Sequence, residues 1–249
     1  MLFLISFLRI GGFCNVDDYI YFTSIGEVNL SDGKIYRFRD GSKNFEYIDI
    51  SGILVDPKGF KKQRNYFFIA DLNGIWKLSL SNMSLTKLID IKDFPSSVGL
   101  LLDIVLDKDG VFYVSDVFSD MVYKFNSSGN IKPAFSIRRP AGMAVDENGR
   151  IYIITFTSPA SIYVYENDSV RLLLRSNLIR SGYGLTINGN KLYATGLLSD
   201  NVVEIDIENL TEREIYRTKS HPTSVFYYSG KLYVAFSDEE GFEIIELQH

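Results

Sequence analysis

The chain is expected to fold as an all-β, six-bladed β-propeller with four-stranded antiparallel blades, and three observations carry that expectation. A short aromatic strand recurs six times: Tyr-Ile-Tyr-Phe-Thr at 19–23, Tyr-Phe-Phe-Ile-Ala at 66–70, Val-Phe-Tyr-Val-Ser at 111–115, Ile-Tyr-Ile-Ile-Thr at 151–155, Leu-Tyr-Ala-Thr-Gly at 192–196 and Leu-Tyr-Val-Ala-Phe at 232–236. Aligning Tyr21, Phe67, Phe112, Tyr152, Tyr193 and Tyr233 gives steps of 46, 45, 40, 41 and 40 residues, a period that belongs to propeller blades. A second apolar run follows each aromatic strand, at 35–38, 75–78, 122–125, 162–165, 202–205 and 242–245. Gly, Asn and Asp punctuate the runs, as tight hairpins require. Six units placed end to end fill all 249 residues, so a single domain is expected.

Within each unit the first strand is an apolar stretch that ends in a turn. Asp-Pro-Lys-Gly at 56–59, Asp-Lys-Asp-Gly at 107–110, Asp-Glu-Asn-Gly at 146–149, Asn188-Gly189 and Ser229-Gly230 supply residues that tolerate positive φ. Residues 60–65 read as an insertion that lengthens the first of these turns. Fourth strands are expected at 45–50, 85–91, 131–137, 170–174 and 212–216. The sixth unit has none of its own, which would leave an unpaired edge at the seam of the ring. Residues 2–10 have a strand's length and lie outside the other blades, so they are assigned as its closing strand.

Composition narrows the function. The protein is 46% hydrophobic and 23% charged, with a net charge of −5 and a pI near 5.2. An acidic chain argues against a broad nucleic-acid surface. Cys14 is the single cysteine, so no intrachain disulfide forms, and no Cys/His cluster has metal-ligand spacing. The apolar start lacks a basic leader and is too short to span a bilayer, which favours a cytoplasmic chain over a secreted one. Asn-x-Ser/Thr triplets at Asn29, Asn82, Asn126, Asn167 and Asn209 suit turns; glycans on an exported surface protein are the alternative.

Residues 140–153, Pro-Ala-Gly-Met-Ala-Val-Asp-Glu-Asn-Gly-Arg-Ile-Tyr-Ile, resemble the NHL repeat, in which Pro and Gly lead into an apolar strand, an Asp-x-x-Gly turn and a Tyr-containing strand. Residues 103–116 are a second match, with Asp103 where the leading glycine would stand. The same six-bladed superfamily includes gluconolactonase and regucalcin-like enzymes and paraoxonase-like lactonases, which are similar in holding a divalent cation at the channel. That resemblance implies a Glu before the first innermost strand, an Asn in each of two later ones and an Asp in the last. This chain has Ile10-Gly11-Gly12, Leu102 ahead of Asp103, Tyr183 and Thr223 at those places. No metal and no other cofactor is therefore expected.

Loops leading into the innermost strands and those joining second to third strands share one face of a propeller, the usual ligand face. Glu27, Asn29, Asn73, Asp103, Asp120, Arg138, Arg139, Arg180, Tyr183, Asp200, His221 and Asp238 are placed there. Asp103 is a carboxylate at the channel mouth that needs a partner, with Arg138 or Arg180 as candidates, or else a structural group held by backbone N–H groups. His221 is a candidate general base or a loop cap. Asp71 and Asp116 are expected to hold the turns that follow them. The resulting reading is a non-catalytic scaffold that binds a protein or small molecule on its channel face. A metal-free hydrolase or lyase using Asp103 and His221 is the alternative.

Overall fold

The computed structural model describes residues 2–3, 9–26, 30–42, 44–237 and 241–247. Within them 24 strands form six four-stranded antiparallel sheets around a central channel. β1 (Leu2–Phe3) belongs to the last sheet. From the channel outward, the first blade is β2 (Ile10–Val16), β3 (Tyr19–Ser24), β4 (Lys34–Arg39) and β5 (Glu46–Ile48), and the second is β6 (Phe60–Gln63), β7 (Tyr66–Asp71), β8 (Gly74–Ser79) and β9 (Leu85–Asp90). The third comprises β10 (Leu101–Leu106), β11 (Phe112–Asp116), β12 (Met121–Phe125) and β13 (Ile131–Ser136), and the fourth β14 (Pro140–Val145), β15 (Ile151–Thr155), β16 (Ser161–Glu166) and β17 (Ser169–Arg175). The fifth is β18 (Gly182–Asn188), β19 (Lys191–Gly196), β20 (Asn201–Asp206) and β21 (Thr211–Arg217). The sixth is β22 (Pro222–Tyr228), β23 (Lys231–Phe236) and β24 (Phe242–Glu246).

Each innermost strand packs against the next, and β22 returns to β2, so the ring is continuous. The six aligned aromatics all lie in second strands and are buried, Tyr21 the most accessible at 8%. They fill the wedge between neighbouring blades, where aromatic rings bury the most area per residue. At the seam between the last and first blades Phe242 stacks on Phe38 at 5.3 Å and meets Phe13 edge-on at 5.7 Å. Asp40, at the β4–β5 turn, completes that seam by accepting hydrogen bonds from Lys231 Nζ at 3.1 Å and Tyr233 Oη at 2.5 Å.

Three expectations change. Of the predicted closing strand over residues 2–10, Leu2–Phe3 pairs antiparallel with Phe242 and Glu243. Residues 4–8 lie outside the described residues, and Ile10 instead opens β2. Residues 60–65 are no insertion. Phe60 pairs with Ile69, Lys58 N donates to Ala70 O, and the hairpin turns at Arg64, where φ is +53°. The second blade's innermost strand is therefore the polar Phe-Lys-Lys-Gln, and its Lys61 and Lys62 line the channel. Asp71 and Asp116 mainly hold the preceding loops rather than the following turns. Asp71 accepts from Val55 N and Asp56 N at 3.0 and 2.6 Å as well as Leu72 N, and Asp116 accepts from Gly99 N and Leu100 N. These buried carboxylates fix the loops that lead into β6 and β10.

Asn82 and Asn126 accept backbone N–H bonds within their own third-to-fourth-strand turns, and Asn167 takes a positive φ of +50° in another. Asn29 lies outside the described residues. No helix among the described residues is long and apolar enough to cross a membrane.

Candidate functional site

Innermost strands start with an irregular step. In five blades the register slips between the first pair and the next, at Ile10/Gly12, Leu101/Ile104, Pro140/Met143, Gly182/Leu185 and Pro222/Val225. Such bulges re-aim side chains at a rim. Counting from these registers, one position per blade is equivalent: Gly11, Lys58, Leu102, Ala141, Tyr183 and Thr223. They form a ring around the channel mouth.

The following position carries the bonds that stitch blade to blade. Thr23 Oγ1 accepts from Gly12 N and donates to Lys58 O at 2.9 Å. Gly59 N donates to Leu102 O, and Met143 N donates to Asp103 Oδ2 at 2.8 Å. Thr195 Oγ1 accepts from Gly184 N and donates to Thr223 O, and Ser224 Oγ donates to Gly11 O at 2.6 Å across the closing seam. Five of the six seams are bridged in this way. The backbones come so close that glycine is required: a Cβ on Gly142 or Gly184 would sit 2.5 Å from the carbonyl oxygen of the next blade.

Asp103 is one of these stitches. Its Oδ1 accepts from Ile104 N at 2.8 Å while Oδ2 takes the Met143 N–H of the next blade. Burial raises its pKa, against the lowering effects of Lys61 and of those two N–H bonds. The folded state thus holds the proton more tightly than the unfolded chain does. Asp103 accordingly adds stability below the ordinary carboxylate range, and that contribution is lost as pH rises through its raised pKa. Asp71 follows the same sign, because burial also outweighs its hydrogen bonds. Of the two alternatives for Asp103, the backbone N–H groups hold it: Arg138 and Arg180 lie exposed on loops leading into β14 and β18, and the cation that acts on Asp103 is Lys61.

At the mouth, Lys58 Nζ stands 2.8 Å from Asp56 Oδ1, and both residues are 8% exposed. Tyr183, from the blade across the channel, lies within electrostatic reach of this pair. Burial raises its phenol pKa, Lys58 lowers it, and Asp56 and Asp103 raise it further. Thr223 Oγ1 is buried and has no hydrogen-bond partner. Below the mouth a cavity of about 420 Å³ follows the channel, lined by Asn15, Lys61, Asp103, Tyr183, Ser224 and the apolar faces of β10, β14, β18 and β22. Sequence reading missed Lys58 because Asp-Pro-Lys-Gly has the composition of a turn.

Around the mouth the loops join into an arc. Asp120 Oδ1 accepts from Arg139 N, and the Arg139 guanidinium lies 6.0 Å from the Phe118 ring. Phe156 N donates to Arg139 O, Ser181 N to Thr157 O and Leu198 N to Arg180 O. His221 Nδ1 then meets Asp200 Oδ1 at 2.7 Å. Asn73 instead accepts from Trp76 Nε1 within its own turn. Glu27, Asn29 and Asp238 lie outside the described residues.

The arc exposes apolar side chains, Phe118 at 59% and Leu198 at 48%. Arg138, Arg139 and Arg180 are exposed beside them, and none is in an ion pair among the described residues. Asp120 is engaged by backbone and Asp200 by His221. The arc therefore presents apolar area and positive charge on a protein that is acidic overall.

Comparison by sequence finds no matching protein family and no matching curated protein. Comparison of structures finds many. A gluconolactonase from Xanthomonas campestris superposes with a TM-score of 0.76 at 10% identity, over 99% of this chain and 89% of that one. The shared feature is the six-bladed propeller. A catalytically inactive histidine-to-alanine form of virginiamycin B lyase from Staphylococcus aureus, with quinupristin, gives a TM-score of 0.72 at 12% identity over 98% and 96% of the two chains. A chain of the nidogen/laminin complex gives 0.70 at 19% identity over 87% and 82%. At these identities the likeness is one of fold alone.

The fold invites a test of whether the mouth fits a divalent ion, and its residues do not. The six ring positions offer an ammonium, a phenol and a hydroxyl beside Gly, Leu and Ala, where a hard cation needs several carboxylate or carbonyl oxygens. Among the described residues, no three His, Cys, Asp or Glu side chains gather into a ligand cluster.

Proposed function

We propose that the protein is a binding scaffold whose partner docks on the channel face, along the arc from Phe118 to Leu198. One observation carries this reading: exposed Phe118 and Leu198 flank Arg138, Arg139 and Arg180 along a rim held in place by inter-loop hydrogen bonds. Aromatic, aliphatic and arginine side chains on a rigid frame are the composition of an interface centre. The rim's positive charge on an acidic protein selects a partner segment that is acidic and carries apolar side chains. The nidogen/laminin neighbour supports it as a propeller found in a protein complex.

The test is selection from a displayed random-peptide library on the immobilised protein. Enriched peptides should combine Asp or Glu with Leu, Phe or Ile. Their binding should fall at least about tenfold in a Phe118→Ser/Arg139→Glu/Arg180→Glu variant, since losing desolvated anchors and reversing rim charge each removes more than a factor of a few. Equal binding to the variant would sink the reading. So would turnover of a lactone or ester that disappears with His221→Ala.

A further inference from the structure

Two side chains inside the channel differ in chemistry from the wall around them. The strand registers set one innermost residue of each blade opposite the residue that follows its buried aromatic: Lys61 in the second blade, and Phe13, Val105, Met143, Leu185 and Val225 in the others. One residue further along the strands, the level of Lys62 is also apolar apart from the Thr186 hydroxyl and the Cys14 thiol. Both levels line the 420 Å³ cavity. Five blades thus wall the channel with side chains of low polarity where the second supplies a pair of lysines.

Both lysines are partly enclosed, and among the described residues neither ammonium is in an ion pair or a hydrogen bond. Burial raises the pKa of the Cys14 thiol while Lys61 and Lys62 both act to lower it, so the two charges reach the same stretch of wall. Asp103 is the one acid among the lining residues, and its two oxygens accept from Ile104 N and Met143 N. Two cations therefore face at most one negative charge, and at least one positive charge is left uncompensated. An enclosed charge without a partner is costly to keep.

We infer that the channel interior binds a small amphipathic organic anion, its charged end meeting the Lys61 and Lys62 ammonium groups and its apolar body lying along the walls of β10, β14 and β22. Bonds from an ammonium to an ionised acceptor are the strong ones. An inorganic ion would satisfy the lysines and leave the apolar wall wet, whereas a neutral apolar molecule would cover the wall and leave the lysines unpaired. A largely apolar cavity with a few polar groups at one place, and of this volume, is the usual form of a small-molecule site. The residues that carry this site lie on strands inside the channel and not on the rim loops, so it does not rest on the docking reading above.

The probe is sodium octanoate, titrated at constant ionic strength and followed by amide chemical shifts, with octylammonium chloride and octan-1-ol as cationic and neutral forms of the same chain. Saturable shifts are expected at 61–62, 105–106, 143–145 and 225–226. Octanoate should bind at least about tenfold more tightly than either control, the size of hydrogen bonds to a charged group. Lys61→Met and Lys62→Met keep the length of the side chain and remove its charge. Each should weaken octanoate severalfold and the pair about tenfold or more, with a melting temperature unchanged or higher because an enclosed charge without a partner has gone. Lys92→Met, exposed in the loop after β9, removes the same charge outside the channel and should leave octanoate affinity at the wild-type value.

The inference is overturned if octanoate shifts do not saturate or fall outside the channel, if octylammonium or octan-1-ol binds as tightly, or if the double variant keeps wild-type affinity for octanoate. The comparison of the three probes uses the wild-type protein alone and decides the matter even where a lysine variant does not fold.

Discussion

Gly184→Val is expected to be severely destabilising. A Cβ at this position would lie 2.5 Å from Thr223 O and 2.8 Å from Val225 N, both backbone atoms of the sixth blade. Neither can rotate away, and moving the strand would break the Thr195-to-Thr223 bond that ties the two blades. Overpacking of this kind costs about 3 kcal/mol or more, a large fraction of the stability of an ordinary domain. Urea unfolding should show a midpoint lowered by at least about 1 M, taking an ordinary slope of a few kcal/mol per molar. Gly189→Ala is the control: it meets no atom within 4 Å, so only its φ of +57° opposes the methyl, and about 1 kcal/mol is expected. Equal effects at the two sites would show that blade contact does not set the glycine pattern.

The second large effect belongs to the closing seam, where Asp40→Ala should cost about 3 kcal/mol. Asp40 sits between Lys231 Nζ and Tyr233 Oη, both only partly accessible, and its loss leaves an ammonium and a phenol facing an apolar seam. Burial pushes the Asp40 pKa up, but the Tyr233 hydrogen bond and the Lys231 ion pair outweigh it, and the carboxyl is held below its usual range. The unfolded chain therefore takes up the proton first as pH falls. The seam's contribution is complete above the ordinary carboxylate range and is lost as pH drops through the lowered pKa. Thermal denaturation at pH 7 and pH 3 should show a wide gap between wild type and Asp40→Asn at pH 7 that narrows at pH 3. A gap independent of pH would contradict the ionic account.

Much of the ring was legible because the blade pattern is local. Period, turn residues and buried aromatics all follow from neighbours in sequence, so Phe112 and Tyr152 announce their strands without help from distant contacts. The channel mouth is different, since its members are about 40 residues apart and meet only when the ring closes. That Gly11, Leu102, Tyr183 and Thr223 stand where the resemblance implies metal ligands could be read from the sequence. The gain of Lys58 could not, because a polar innermost strand entered through Asp-Pro-Lys-Gly imitates a turn with an insertion. Asp103 could be read as a carboxylate that needs either an arginine or backbone N–H groups, but the sequence does not say which N–H groups. Its partners proved to be the Ile104 and Met143 N–H groups, which no side-chain pattern records. The pairing of His221 with Asp200 joins loops of two blades and has no sequence signal beyond their shared face.

Hydrogen–deuterium exchange on the complex with a selected acidic peptide tests the central claim most directly, because it reports where on the propeller the partner sits. The channel-face account predicts protection at 117–120, 138–142, 180–184 and 197–200, with the opposite turns at 147–149, 188–190 and 229–230 unchanged. Protection confined to those opposite turns, or to the outer strands β13, β17 and β21, would contradict it.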